Sequence, residues 1–332
     1  NMSWGLGIYV NAAAIAYLQD TAPAGADPLV EQAAEDDTID RTTLNLIKLG
    51  VPAYAMEAAN DLRDQLSRGS AAERRSSIAL LGAAPPEMAA ALLAPHLTGG
   101  GEHDEVEAAL IAAGRARAAR LVPEVTRLLA VPRLRHRAGT TLNAMGSPAV
   151  AHVLELMRRD ELPRGGTSVA VQLLGARAGA EAAPVLLDII EQPGDGGFDR
   201  SRRALRALNR LRGRIELQLT EPQRGRVEAL LDADLTRLYQ DLLFLDAGSW
   251  ADLRETPRPD DSLLRALRER VDDRVERLFR LLALCHDPAD TVAAYRGVRS
   301  PLKSIRASSI EFLDNVLPKE LTTRLLPLLE SA

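Results

Sequence analysis

SSIALLG at residues 76–82, AALIAAG at 108–114 and TTLNAMG at 140–146 decide how this chain is read. Each is a short apolar run ending on a glycine, and Gly82, Gly114 and Gly146 stand 32 residues apart. A fourth run, VAVQLLG, ends at Gly175 after 29 residues; a fifth, RALRALNR, puts Arg210 in the glycine slot after a further 35. Ile78 and Leu81, Leu110 and Ala113, Leu142 and Met145, and Val171 and Leu174 recur three apart within their units. That spacing places each pair on one face of a helix. Self-similarity at such an interval is the signature of a repeat architecture.

Second helical patterns fill the gaps: PPEMAAALLAPHL (85–97), RAARLVPEVTRLLA (117–130), SPAVAHVLELMRR (147–159) and AEAAPVLLDIIE (180–191). Prolines sit near their starts, where a missing N–H costs no helical bond. Breakers such as TGGGEH (98–103) and EQPGDGG (191–197) separate one pair from the next. No alternation of period two is long enough for a strand. The expected fold is therefore all-α: an α-solenoid of helical hairpins with a period of about 32 residues. One such pair cannot cover its own apolar stripe, whereas stacked neighbours share a continuous core.

Beyond residue 215 the rhythm changes. Val227, Leu231, Leu235, Leu238, Leu242 and Leu245 define one helix of about 25 residues, and Leu264, Leu267, Val271, Val275, Leu278 and Leu282 a second. A loop over 246–260, rich in Pro and Asp, joins them into an expected antiparallel hairpin on the last repeat. Pro288 opens a short helix, and 306–330 reads as another pair. The expected organisation is an acidic N-terminal helical cap at 1–50, repeats at 51–215, the long hairpin at 216–286 and further repeat-like helices at 287–332.

The 332 residues are 46% apolar, 26% charged and 3% aromatic. A single cysteine, Cys285, excludes an internal disulfide framework and points to a reducing compartment. Net charge of −5 and scarce aromatics argue against a nucleic-acid binder. The charge is concentrated: residues 1–50 carry seven acids against Arg41 and Lys48, so the rest balances. Lysine occurs only at Lys48, Lys303 and Lys319. With the excess of Ala and Gly, this arginine bias reads as GC-rich coding. The longest nearly apolar stretch, Gly5 to Leu18, contains Asn11 and falls short of the ~18 residues a spanning helix needs. Asn1 before Met2 reads as a cloning remnant, and the chain as a possible piece of something longer. A cytoplasmic location is expected.

Catalytic and cofactor motifs are missing. His96, His103, His136, His152 and His286 contain no pair at zinc-ligand spacing. Cys285, His286 and Asp287 are adjacent, and successive helical residues point about 100° apart, so thiol and imidazole cannot pair as nucleophile and base. Cys285 continues the apolar stripe and reads as a core thiol. GGGEH lacks the ending of a phosphate loop. Glu35, Asp36 and Asp37 lack EF-hand spacing and read as a solvated loop. No catalytic residue, cofactor or metal site is expected.

The one concentrated surface signal is arginine. Arg200, Arg202, Arg203, Arg206, Arg210, Arg212 and Arg214 crowd one segment, with Arg203, Arg206 and Arg210 on a face opposite Ala204, Leu205, Leu208 and Leu211. Arg133, Arg135, His136 and Arg137 form a second patch. Arg135, Arg137, Arg200, Arg203, Arg206 and Arg210 are the candidate partner-binding residues, facing carboxylates or phosphates of a protein partner or neighbouring domain. The alternative is a charged face neutralised by nearby Asp and Glu.

The glycine-ended helices resemble those of HEAT repeats, in which an acid, a hydrophobe, an arginine and small residues lead to Leu-Gly. The arginine slot, seven before the glycine, holds Arg75, Glu107, Gly139, Ser168 and Arg203. Residues 280–330 further resemble the cytosolic HEAT segment of bacterial fusion proteins. Those join a membrane domain of the ATP/ADP-translocase or major-facilitator type to HEAT repeats, and often to a cyclic-nucleotide-binding domain. The resemblance rests on the Leu run ending at Leu284, on Ala294 and Gly297, and on Arg306-Ala307 leading to Leu313-Asp314-Asn315. It implies a non-enzymatic interaction or connector module within a larger bacterial membrane protein, with no catalytic residue in this segment and none of it inserted in the membrane. The rival expectation is an enzyme on a HEAT-like scaffold, of bilin-lyase or alkyl-base DNA glycosylase type. For the latter, only Trp4 and Trp250 are available to frame a base.

Overall fold

The structure, a computed structural model, describes residues 30, 33–36, 39, 41–49, 51, 54–98, 102–192, 197–251 and 261–331. Among them every regular element is a helix, and none is long and apolar enough to cross a membrane. Most of the expected acidic cap, including Asp37 and the Gly5–Leu18 stretch, lies outside the described residues. The chain divides into two compact units, Asn1–Ala178 and Gly179–Ala332, a division that falls inside the expected 51–215 block.

The first unit holds α1 (Arg41–Leu49), α2 (Ala55–Arg68), α3 (Ala71–Leu80), α4 (Pro86–Thr98), α5 (His103–Arg115), α6 (Val122–Arg127), α7 (Arg135–Met145), α8 (Ser147–Arg158) and α9 (Thr167–Arg177). Their starts follow local chemistry. The Ser70 hydroxyl accepts from the Glu73 N–H at 3.4 Å while the Glu73 carboxylate accepts from the Ser70 N–H at 2.7 Å, a reciprocal cap on α3. Pro86, Pro123 and Pro148 fall in the first turns of α4, α6 and α8.

Packing follows the sequence interval. α5 lies against α3 and α7, and α7 against α9; α6 lies against α4 and α8. Alternate helices thus form two rows. Ile78, Leu110 and Leu142, three equivalent positions, are fully buried, and so is nearly all of Val171, the fourth. Ala109, Ala112, Ala113 and Ala138 are buried completely among them, and their small side chains let neighbours approach closely. Polar contacts return at the same interval. Arg74 pairs with Glu105, 31 residues on, at 2.7 Å. Arg137 pairs with Glu107, 30 back, at 2.9 Å. The buried Thr141 hydroxyl donates to the Leu110 carbonyl, 31 back, at 2.9 Å, and Arg177 donates to Asn143, 34 back, at 3.1 Å.

The aligned glycines do different things. A Cβ at Gly82 would lie 3.1 Å from that of Arg115, and one at Gly114 3.4 Å from the Thr141 Cα, so both mark close approach between successive helices. Gly146 has open space around it but a φ of 75°, and it joins α7 directly to α8. Gly175 lies buried inside α9. The second helix expected at 117–130 is much shorter. Arg117 sits at a φ of 50°, and the six residues of α6 lie between 3₁₀ turns at 119–121 and 128–130. The left-handed residue stops a helix from beginning upstream.

The second unit holds α10 (Ala183–Glu191), α11 (Gly197–Ile215), α12 (Glu221–Ala251), α13 (Asp261–Cys285), α14 (Pro288–Val298), α15 (Lys303–Val316) and α16 (Lys319–Ser331). α12 stays helical to Ala251, into the region expected to be loop; 252–260 lies outside the described residues. Val227, Leu231, Leu235 and Leu238 are buried against Val271, Val275, Leu278 and Leu282 as α12 packs on α13. Asp234 meets Arg277 whereas Asp241 meets Arg270 and Arg274, so the two helices run antiparallel. α13 also packs on α11, α14 on α13 and α15, and α16 on α12 and α15.

Leu142→Ala should cost about 2–5 kcal/mol, because it opens a cavity at a fully buried position. Met56→Ala, at a residue 80% exposed, should stay within about 0.5 kcal/mol. Urea unfolding of both variants, followed by hydrogen exchange in α5 and α9, checks the contrast. Equal effects would contradict the packing described.

Candidate functional site

The candidate site is built on α11. Its nineteen residues present Ala204, Leu205, Leu208 and Leu211 to the interior and leave Arg203, Arg206 and Arg210 exposed, as the spacing predicts. What the spacing did not reveal is how many of these cations are already engaged. Arg202 meets Asp273 at 3.0 Å and Glu276 at 2.8 Å, both on α13. Arg206 meets Glu276 at 3.0 Å, and Arg203 meets Asp199 one turn back at 2.8 Å. Arg212 donates to the His286 carbonyl at 2.7 Å. Arg200 and Arg210 are exposed, with no carboxylate partner among the described residues.

Arg135 and Arg137 belong to the first unit. Arg135 donates to the Leu129 carbonyl at 2.8 Å, and its guanidinium covers Gly165, where a Cβ would lie 2.4 Å from the nitrogen. It braces a turn. Arg137 is held by Glu107, as described above.

Glu276 is the hub of the α11–α13 contact. It accepts from Arg202, Arg206 and, at 2.8 Å, from Arg280. Burial alone pushes its carboxyl up, but the bonds from Arg206 and Arg280 and the charges of Arg280 and Arg202 outweigh it and hold the group at about 2. Beneath lies a drier network. Arg277, buried, donates to Asp234 at 2.5 Å and to the Ser201 hydroxyl at 2.7 Å; that hydroxyl donates to the Ile190 carbonyl at 2.8 Å. One α-helical heptad along, Asp241 accepts from Arg270 and Arg274. On the outer side Arg226 joins Asp188 and Glu191, both at 2.6 Å, and these bonds raise its already high proton affinity.

Sequence reasoning missed Asp234, Asp241 and the α13 arginines. A signal existed: the two acids are seven apart and lie beside the stripe of Leu231, Leu235, Leu238 and Leu242, while Arg270, Arg274 and Arg277 flank Val271, Val275 and Leu278. Buried guanidiniums of this kind need paired acids, so acids at helical spacing beside an apolar stripe are candidates for them.

The Cys285-His286-Asp287 run is a helix junction. Cys285 is half-buried rather than fully enclosed, and burial pushes its thiol up. Burial, then Arg212 and Arg224, pulls the His286 imidazole down. Asp287 caps α14, accepting from the Ala289 and Asp290 N–H groups at 2.8 and 3.0 Å. None of this activates a nucleophile. Among the described residues no three His, Cys, Asp or Glu side chains converge on a point that would hold a metal ion. Compared with protein-family models, with curated proteins and with solved structures, the chain matches none.

Asp234→Asn or Arg277→Met alone should destabilise the second unit by about 3–5 kcal/mol, since each strands a buried charge, whereas the double variant Asp234→Leu with Arg277→Met should recover most of the loss. Thermal unfolding of the three variants checks this. Glu276 is depressed in the folded state, so its stabilising contribution is full above its ordinary value of 4.5 and is lost as pH falls toward 2. Glu276→Gln should therefore flatten the acid limb of the stability curve between pH 4.5 and 2. An unchanged limb would exclude the hub role.

Proposed function

We propose that this chain is an α-solenoid of HEAT-like hairpins and serves as a non-enzymatic interaction or connector module, the cytosolic part of a larger bacterial membrane protein. One observation carries the reading: the 32-residue interval of the sequence reappears as 30- and 31-residue intervals between bonded partners in the first unit. Each hairpin then contacts its neighbours and little else, which is how repeat scaffolds build extended binding surfaces. The buried acids Asp234 and Asp241 are committed to arginines, and Cys285 is held as a thiol by burial.

Partner capture falls to the exposed arginines of α11 that remain uncommitted. Arg200 and Arg210, without a carboxylate partner among the described residues, are left for a carboxylate or phosphate, while Arg202, Arg203 and Arg206 already hold acids of the second unit. The test is proximity labelling with the native gene product in its own cell, followed by affinity measurement on the partner recovered. Arg200→Glu with Arg210→Glu should weaken that partner by at least about tenfold. Unaltered affinity would remove α11 from the interaction.

A further inference from the structure

The chain carries a third basic concentration, outside both arginine patches described above. Between Asp290 and Glu311 no acid occurs, while Arg296, Arg299, Lys303 and Arg306 do. Three of these four, Arg299, Lys303 and Arg306, stand on the rim of one cavity of about 430 Å³ in the second unit. The volume lies in the range of small-molecule sites, roughly 300–1,000 Å³. The apolar part of its wall comes from Val275 of α13, Val298 of α14, Ala307 and Ile310 of α15 and Leu329 of α16, with Val275 and Leu329 buried.

The rim charge is only partly answered. Asp272 is the acid that lines the cavity, and it holds Arg299 at 3.2 Å. Arg299 is also steadied by Tyr295, lying 5.8 Å over its ring and 3.3 Å from its hydroxyl. Lys303 and Arg306 are exposed with no carboxylate bonded to them among the described residues. They occupy the first turn of α15, a fourteen-residue helix whose N-cap, Leu302, offers no side-chain acceptor to the orphan N–H groups. Those N–H groups add positive potential at the same rim. α15 itself is thinly packed, with Leu313 its one fully buried residue, so the cavity borders on a helix whose neighbours have not closed over it.

We infer that this cavity binds an amphiphilic anion: a carboxylate or phosphate head held by Lys303 and Arg306, with an unbranched apolar tail against Val275, Val298, Ile310 and Leu329. Two cations, a helix N-terminus and a greasy interior are the complement of such a molecule. A bare anion would leave the apolar wall wet, and a neutral chain would leave the rim unanswered. The site is independent of the module proposed above and stands or falls separately.

The full chain is titrated by calorimetry with decanoate, decyl phosphate, 1-decanol and inorganic phosphate. Decanoate and decyl phosphate should bind saturably at one site; 1-decanol and inorganic phosphate should each bind at least about tenfold more weakly. Lys303→Gln with Arg306→Gln, both exposed and without bonded carboxylates, should keep the native circular dichroism and lose about tenfold in affinity for decanoate. Ala307→Trp, which fills the cavity, should abolish decanoate binding. The inference is overturned if decanoate does not saturate, if 1-decanol or phosphate binds as tightly, or if the glutamine pair leaves decanoate affinity unchanged.

Discussion

A helix of ten to fourteen residues has too few bonds to hold itself in water, and each of α3 to α9 is of that length or shorter. What keeps them helical is cover: α5 is shielded by α3 and α7, and α7 by α5 and α9. Ile78, Leu110, Leu142 and Leu174 reach complete burial only because α3, α5, α7 and α9 lie side by side. The alanines between them act through their size, since a larger side chain at Ala109 or Ala138 would hold the row apart. Thr141 reaching the Leu110 carbonyl, and Gly114 lying against the Thr141 backbone, are consequences of that closeness.

The second unit solves the problem differently. Its long hairpin carries carboxylates and guanidiniums into the α12–α13 interface, where hydrophobic residues of the same volume would serve stability as well. Pairing Asp234 with Arg277, and Asp241 with Arg270 and Arg274, does what leucines cannot: it distinguishes one axial alignment from another. Two long leucine-rich helices can slide by a turn and bury nearly as much surface. A slide that separates these charges strands them, so the network fixes where α13, and with it Glu276 opposite α11, comes to rest.

Much of the helix order was legible because the same glycine-ended run recurs along the chain. The interval between Gly82, Gly114 and Gly146 located successive helices, although the glycines have separate local duties. The faces of α11 and the stripes of α12 and α13 also followed directly from spacing. Other features escaped for physical reasons. The brevity of α6 depends on the left-handed backbone at Arg117, a conformation that arginine rarely advertises. The persistence of α12 to Ala251 ran against a composition that reads as loop. The commitment of Arg202 and Arg206 to Glu276 joins residues seventy or more positions apart, and no local pattern announces a partner at that distance.

The interior cations of this fold are guanidiniums without exception among the pairs described in the second unit. An amine in a dry setting surrenders its proton readily, while a guanidinium keeps it under any aqueous condition a protein meets. The framework is therefore lopsided toward its surroundings. Among these described pairs alkali finds no amine to neutralise, while acid meets Glu276, the carboxylate on which Arg202, Arg206 and Arg280 converge.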